Sequence, residues 1–521
     1  LRRAPGARAR PVLLARLRES KPWDMVVIGG GATGLGCAVD AAARGYRVLV
    51  VDAHDFAKGT SSRATKLIHG GVRYLAQGNL ALVREALAER ARLLANAPHL
   101  VHALRFVVPA YRWHELALYG VGLRAYERLA GAAAIGHSRR LDRAHTLAAL
   151  PTLNPDRLRG GIAYCDAQFD DARLALALAL TTHTLGGTVL NYCAATGLVV
   201  DGGRVCGVEL RDTLGGGRFR VAARIVINAA GVWADAVRRL AEPTAAPLLR
   251  TSQGVHLVVG RDFLPGDDAL LIPRTADGRL LFVIPWQGRV LLGTTDTERA
   301  DQPLEPQALA GEIEFILATA AAYLRPAPGA ADVRSVFAGL RPLLDGAAHT
   351  GRLSREHRVE VSAEGLVSVL GGKWTTYRRM AEEAVDVAAA RAGLPWRASP
   401  TATLRLHGAP APGAPAADDR YGSERAQVDR LPGARRLLLA GLSLTEAEVR
   451  HAVRAEFAHT VEDVLARRHR ALFLDAALAL AVAPAVATLM AQELGRGQDW
   501  IDAQLAGFAR LAAGYRAPAG G

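Results

Sequence analysis

The stretch "WDMVVIGGGATGLGCAVDAAARGYRVLVVD", residues 23–52, constrains the fold more than any other part of this chain. Residues 25–28 form an apolar run suited to a buried strand. The turn Gly29-x-Gly31-x-x-Gly34 then opens a small-residue helix that runs to about residue 44. Gly45 stops the helix, and residues 47–52 read as a second strand ending on Asp52. Glycines so placed let backbone approach a pyrophosphate at a helix N-terminus, and a carboxylate at Asp52 can accept hydrogen bonds from ribose hydroxyls. The acid lies 18 residues beyond Gly34, and strand, turn and helix follow in the required order. A tight turn without a ligand is therefore the weaker reading. The pattern predicts a dinucleotide-binding βαβ unit and does not separate NAD from FAD.

The next segment helps to separate them. A nicotinamide enzyme of this length would continue with alternating strands and helices. Here "GTSSRATKLIHGGVRYL" reads as a polar, glycine-punctuated loop that is not a sheet strand, gathering Lys66, His69, Arg73 and Tyr74 around two glycines. Far downstream, "ARIVINAAGVWAD" supplies a strand at 224–228 ending in small residues and Gly231. "GLVSVLGGKWTTYRRMAEEAVDVAAA" then supplies a strand, a Gly-Gly turn and Thr375 or Thr376 as N-cap of a long helix. The positive end of that helix suits an isoalloxazine ring, which becomes anionic on reduction. Between residues 254 and 294, "GVHLVV", "ALLIP", "LLFVIPW" and "RVLLGTT" read as an antiparallel meander laid over the cofactor. His256 lies in its first strand, where packing and reacting both stay open. Arg73, Arg341, Arg355 and Lys373 offer cations to an anionic substrate, though each alone also reads as a surface residue.

Composition sets the outer limits. A chain of 521 residues is too long for one ordinary core, so two or three domains are expected. The formal net charge of +14 raises nucleic acid or an anionic membrane as partners. The arginines are dispersed, which fits solvated helix faces, and no RNA-binding motif accompanies them, so no nucleic-acid partner is expected. The exception is residues 1–22, where Arg2, Arg3, Arg8, Arg10, Arg16, Arg18 and Lys21 face only Glu19. That stretch reads as a basic extension, a transit segment or an over-called start. Cys37, Cys165, Cys193 and Cys206 form no C-x-x-C pair or metal spacing, so a reducing compartment and no metal are expected. The longest apolar run, 476–491, contains Pro484 and reads as a buried helix rather than a membrane span. "HGAPAPGAPAADD" is a Pro/Ala linker, followed by helices near 443–457, 459–470, 472–491 and 498–514 with no visible chemistry.

The segments "GGGATGLG", "TSSRATKLIHGGVRYL", "NAAGVWAD", "FVIPWQGRVLLGTTDT", "AGLRPL" and "LGGKWTTYR", in this order, resemble the flavin-dependent glycerol-3-phosphate dehydrogenases of the D-amino-acid-oxidase-like FAD superfamily. The likeness runs from about residue 22 to 515. It implies an α/β FAD-binding Rossmann-like domain, an antiparallel β substrate-binding domain and a C-terminal α-helical domain. The FAD domain would be assembled from residues 23–105, 156–250 and 345–395, and the substrate domain from 106–155 and 251–344. Residues 396–425 would be linker and 426–515 the helical domain, behind a basic extension at 1–22. The resemblance places FAD against Gly29, Gly31, Gly34, Asp52, Ser61, Ser62, His69, Gly70, Gly231, Trp233, Gly339, Gly372, Trp374 and Thr375. It gives substrate contacts to Arg73, Tyr74, Arg355 and Lys373, and catalytic roles to His256 and Arg341.

The implied reaction is oxidation of sn-glycerol 3-phosphate to dihydroxyacetone phosphate, with hydride passing to FAD and electrons to a membrane quinone. Oxygen as acceptor, or another 2-hydroxy or amino acid as substrate, is the alternative. The implied location is cytoplasmic, on the inner face of the cell membrane as a peripheral protein, with homodimerisation left open. Two segments offer a membrane contact. In "RARPVLLARLRES", Val12, Leu13, Leu14 and Leu17 would form an apolar strip among arginines, and "ARRHR" at 466–470 is a competing basic patch.

Overall fold

The structure is a computed structural model that describes residues 7–71, 79–345, 357–411, 413–414 and 419–517. Two sheets organise it. The first runs His357–Val361, Val367–Gly371, Arg218–Asn228, Trp23–Ile28, Val48–Val51, Thr188–Leu190. All these neighbours pair in parallel except the outermost, His357–Val361 on Val367–Gly371. Trp23–Ile28 lies at the centre with Met25 opposite Val48 and Ile28 opposite Asn228. Its continuous apolar run is what a strand covered on both faces requires. One cover is Ala32–Ala43, whose small residues admit Tyr377–Arg391 at close range; a Cβ on Gly36 would meet the Tyr377 ring at 2.8 Å.

The second sheet has ten strands. Leu249–Val259, Arg289–Gly293, Leu281–Trp286 and Ala269–Ile272 form the expected meander, and Ser335–Leu344 pairs antiparallel with Leu249–Val259 over ten positions. The sheet departs from a purely antiparallel expectation at one place, where Ala269–Ile272 pairs in parallel with Val101–Ala110. It also extends further than the meander. Gly160–Phe169, expected in the nucleotide half, pairs with Val101–Ala110 here. Leu67–Ile68, inside the segment read as strand-free, adds a short edge strand to it. Two apolar residues, both buried, were enough for that edge.

The C-terminal part is helical: Glu446–Ala455, Ala471–Leu474, Ala476–Leu494 and Gln498–Ala513, with a π-helical turn at Asp463–Arg468. By length and composition Ala476–Leu494 could cross a membrane, but half of its apolar stretch is buried against its neighbours, as in a core helix.

Both segments read as membrane contacts are consumed by the fold. Arg10–Ala15 is a short helix, and Leu13 and Leu17 sit in the main core at 5% and 3% exposure, leaving only Val12 fully outward. Arg10 is buried, donating to the Asn191 carbonyl at 2.7 Å and pairing with Asp212 at 2.7 Å. In the second segment Arg467, Arg468 and Arg470 are all buried. Arg467 and Arg468 ion-pair with Asp55, and Arg470 donates to the Ser62 carbonyl at 2.6 Å. Part of the basic excess is thus internal rather than solvated, a fact invisible in a residue count.

Candidate functional site

A cavity of about 510 Å³ lies at the C-terminal ends of the parallel strands. Gly29, Gly31, Asp52, Ser61, Gly231, Trp233, Gly372, Lys373 and Trp374 all line it. The glycines are there for specific reasons. Gly29 has φ +116° and its missing Cβ would fall 2.4 Å from the Ala229 carbonyl oxygen, while a Cβ on Gly34 would sit 1.9 Å from that of Gly29. Gly34 therefore serves close packing of turn on helix and does not touch the cavity. Around Gly31 only the Ser61 hydroxyl is near, at 3.0 Å from where a Cβ would stand, so this side is open to a ligand. The Ala32–Ala43 helix begins here without a side-chain cap, and its positive end faces the space.

Asp52 accepts from Gly30 N at 2.6 Å and His54 N at 2.8 Å. Burial outweighs these bonds and raises its pKa to about 6. Two indoles frame the cavity. Trp233 donates to the Gln302 carbonyl at 3.0 Å and lies over Gly59; Trp374 donates to the Ser61 carbonyl at 3.0 Å. The donor set, the forced glycines and the uncapped helix all fit a dinucleotide carrying a flavin.

A second cavity, of about 130 Å³, lies on the other side of the Ser335–Leu344 strand, where Pro342 faces the first space and Arg341 the second. Thr65, His69, Gly71, Phe106, Asp166, Arg279, Phe282, Thr294, Asp296 and Arg341 line it. Arg341 donates to Thr294 Oγ1 and the Thr295 carbonyl, both at 3.0 Å, and lies 3.7 Å from Asp296. Arg279 approaches the same carboxylate at 3.8 Å. Arg279 also pairs with Asp277, donating from Nε at 2.8 Å, so two guanidiniums and two carboxylates meet along this wall. Across the cavity, Asp166 takes bonds from Arg90 (2.6 Å) and the Tyr126 hydroxyl (2.9 Å), yet burial still lifts its pKa to about 6.

His256 is placed differently from the expectation. It is buried and stacked on Phe337 at 4.9 Å, and it does not line either cavity. Its Nε2 lies 3.0 Å from Thr65 Oγ1, and Thr65 is the residue that reaches the small cavity. Burial, with Lys66 and Arg341 adding repulsion, holds the imidazole well below its usual pKa. Lys66, itself enclosed, donates to Asp171 at 2.7 Å; burial lowers its pKa to about 7.

Other expected contacts are also redistributed. His69, expected at the cofactor, lines the small cavity, and Lys373, expected at the substrate, lines the large one. Ser62 is buried, its carbonyl taken by Lys66 and Arg470. Gly70 N donates to the Tyr126 hydroxyl at 2.7 Å. Thr375 bonds backbone atoms of His69 at 3.4 Å instead of capping the helix, and Thr376 makes no side-chain cap either. Gly339 lets its strand approach Arg63, whose Cβ would lie 2.9 Å from an added methyl. Ser62, Gly70, Gly339, Thr375 and Gly34 thus shape the site from behind. Arg73, Tyr74 and Arg355 lie outside the described residues. Thr65, Asp166, Arg279 and Asp296 were not anticipated. Asp296 sits in "LLGTTDT", a segment that carried the resemblance, whereas nothing local marks Asp166 or Arg279.

Two family models match the chain: FAD dependent oxidoreductase over residues 24–378, and the C-terminal domain of alpha-glycerophosphate oxidase over 367–501. The mitochondrial glycerol-3-phosphate dehydrogenase of Mus musculus is 37% identical over 530 residues, covering 93% of this chain and 72% of that protein. That of Arabidopsis thaliana is 38% identical over 539 residues, covering 94% and 86%. The structure of the glycerol-3-phosphate dehydrogenase from Bacillus halodurans, complexed with FAD, superposes with a TM-score of 0.80 at 29% identity and covers 99% of each chain. The chain belongs to the family of FAD-dependent glycerol-3-phosphate dehydrogenases.

Proposed function

We propose that this enzyme oxidises sn-glycerol 3-phosphate to dihydroxyacetone phosphate in the smaller cavity and passes the electrons on to a membrane quinone. The observation that carries the reading is the pairing of Arg279 and Arg341 around Asp296, one strand away from the nucleotide cavity. A phosphomonoester brings up to two negative charges, and Arg341, with Arg279 beside it redirecting donors from Asp277, would supply guanidinium N–H groups to it. Phe106, Leu271, Leu280 and Phe282 give the rest of the cavity an apolar wall that excludes water from the carbon chain. Gly31, Asp52, Ser61, Gly231, Gly372 and Trp374 would hold FAD, which would supply a hydride acceptor for the alcohol carbon.

The hydroxyl proton needs a separate acceptor. Thr65 Oγ1 faces the cavity and bonds His256 Nε2, so the proton moves from the substrate to the threonine oxygen as that oxygen gives its own proton to the imidazole. His256 thereby receives the proton through Thr65 rather than by contact with the substrate. Arg341, fixed by Thr294 and Thr295, sets the register of the substrate against this pair.

The test is anaerobic bleaching of the purified holoenzyme's visible spectrum with glycerol 3-phosphate, glycerol, a 2-hydroxy acid and an amino acid. Only glycerol 3-phosphate should bleach it promptly. Bleaching by an amino acid and not by the phosphoester would reject the substrate reading. A second reading, with oxygen as acceptor, draws on the C-terminal match to alpha-glycerophosphate oxidase. Stoichiometric hydrogen peroxide during turnover in air would favour it over the quinone.

A further inference from the structure

The Trp113–Ala130 helix presents an exposed apolar strip, met among the described residues by the Arg159 guanidinium, which lies 5.3 Å over the Trp113 ring. Trp113, Leu118 and Val121 are 62%, 66% and 70% exposed. At about 100° per residue they share one face with Ala117, opposite Leu116, Leu123 and Tyr126, which pack against Val83 and Leu87.

The charges around this strip have one sign. Arg124 and Arg128 are exposed on the same side of the helix, Arg112 precedes it, and Arg139 and Arg140 follow in a short strand. The helix has two carboxylates, and both are engaged. Glu115 accepts from Tyr111 N and Arg112 N; Glu127 accepts from Ser138 N and Oγ and contacts His137. The outcome is an apolar stripe with an indole near one end and two guanidiniums on the same face beyond the other, a pattern that suits a helix lying in a headgroup layer. A second copy of the chain fits poorly, because a two-fold contact would bring these arginines against their own counterparts.

The position of the helix links this face to the chemistry. On the inner side, Tyr126 takes a bond from Gly70 N and donates to Asp166, and Gly71 and Asp166 line the small cavity. One helix diameter, about 10 Å, therefore separates the exposed strip from the cavity wall.

We infer that this helix is the membrane-docking element. It lies on an anionic bilayer with Trp113, Leu118 and Val121 in the headgroup–acyl boundary and Arg124, Arg128, Arg139 and Arg140 on lipid phosphates. Its purpose rests on the reading of a membrane quinone as acceptor; the docking itself does not.

The test uses full-length holoenzyme floated with vesicles of phosphatidylglycerol and phosphatidylcholine in equal parts, or of phosphatidylcholine alone, at low and high salt. Wild type should float with the anionic vesicles and be released by salt. Leu118→Asp combined with Val121→Asp should cut the bound fraction about tenfold or more, with dye-linked oxidation of glycerol 3-phosphate unchanged. Arg124→Gln with Arg128→Gln should weaken binding to anionic vesicles only. Equal flotation of the double-aspartate variant, or no flotation of wild type, overturns the inference. So does a wild-type dimer in lipid-free solution that this variant breaks, which would make the face a protein interface. Loss of docking with quinone reduction unaltered would support the docking and sink the acceptor reading.

Discussion

Replacing Thr65 with valine removes one hydroxyl and keeps the branched shape of the side chain. Two losses follow from the geometry. His256 Nε2 loses the partner it has at 3.0 Å, inside a site where its Nδ1 already has no hydrogen-bond partner among the described residues. Stranding one buried polar atom costs about 1–3 kcal/mol of folding free energy. The route from cavity to imidazole is also cut. Removing a positioned proton acceptor slows chemistry by roughly 10²–10⁴-fold, or about 2.7–5.4 kcal/mol of barrier. The assay is rapid anaerobic mixing of holoenzyme with glycerol 3-phosphate, following loss of visible absorbance. The limiting rate should fall while the half-saturating concentration changes little, because Arg279 and Arg341 are untouched. Thr65→Ser returns the oxygen and should recover most of the rate. His256→Asn should be about as slow as Thr65→Val, and the double variant no slower, since the two act as one unit. The pH profile supplies a further check. The imidazole is held well below its usual pKa, so its neutral, proton-accepting form persists down to pH values well under 6.5. No rate loss from His256 should appear between pH 6.5 and 8. A valine variant that reduces the flavin at the wild-type rate refutes the relay.

Arg279→Lys and Arg341→Lys keep charge but lose the fork, and each should lower kcat/KM by about 1.5–3 kcal/mol of transition-state binding; unchanged steady-state kinetics in both would remove them from the phosphate site. Asp55→Asn strips the charge that faces two buried guanidiniums and should destabilise by about 3–5 kcal/mol, read by denaturant unfolding with flavin fluorescence as a second probe. A loss under about 1 kcal/mol would mean the clamp is idle. His99 is buried and His407 half-buried beside Arg173 at the junction with the C-terminal part, and desolvation lowers each to about 4. A folded pKa below the unfolded value favours the neutral form, so this stability is full above about 6.5 and lost as pH falls towards 4, by up to about 3 kcal/mol per histidine. Asp52 and Asp166, raised to about 6, act in the opposite sense and offset part of it. Denaturation midpoints at pH 7.5, 6 and 4.5 should decline, and a level series would contradict the burial argument.

Much of the nucleotide site was legible because short-range geometry dictates it. Gly29, Gly31 and Asp52 follow from what a strand–turn–helix needs, and the structure places all three at one cavity. The substrate side was legible only in part. Arg341 was anticipated and lines the small cavity, while Arg279, from the turn before Leu281–Trp286, and Asp166, from Gly160–Phe169, converge on it from far apart in sequence. No local pattern encodes such a meeting. His256 lies in the strand expected for it, yet its neighbour across the sheets, Thr65, decides whether it meets solvent, substrate or only a hydroxyl. The apolar residues at 13 and 17 show the converse failure. An amphipathic pattern says that one face must be covered, and here the cover is the protein's own core rather than lipid.

The ion pairs between Asp55 and the π-helical turn also impose an order on biosynthesis. Asp55 and Arg467 are 412 residues apart, and between them lies every described strand except Trp23–Ile28 and Val48–Val51. At about 5–20 residues per second, a ribosome needs roughly 20–80 s to deliver the second partner after the first. Throughout that interval the segment 54–61, which walls the nucleotide cavity, has the carboxylate of Asp55 without its arginines, and Asp171 is without Arg470. The expectation is that cofactor loading waits for these pairs rather than nucleating the fold. A nascent chain cut just before residue 460 should emerge without flavin even though every glycine and acid of the fingerprint has already been made.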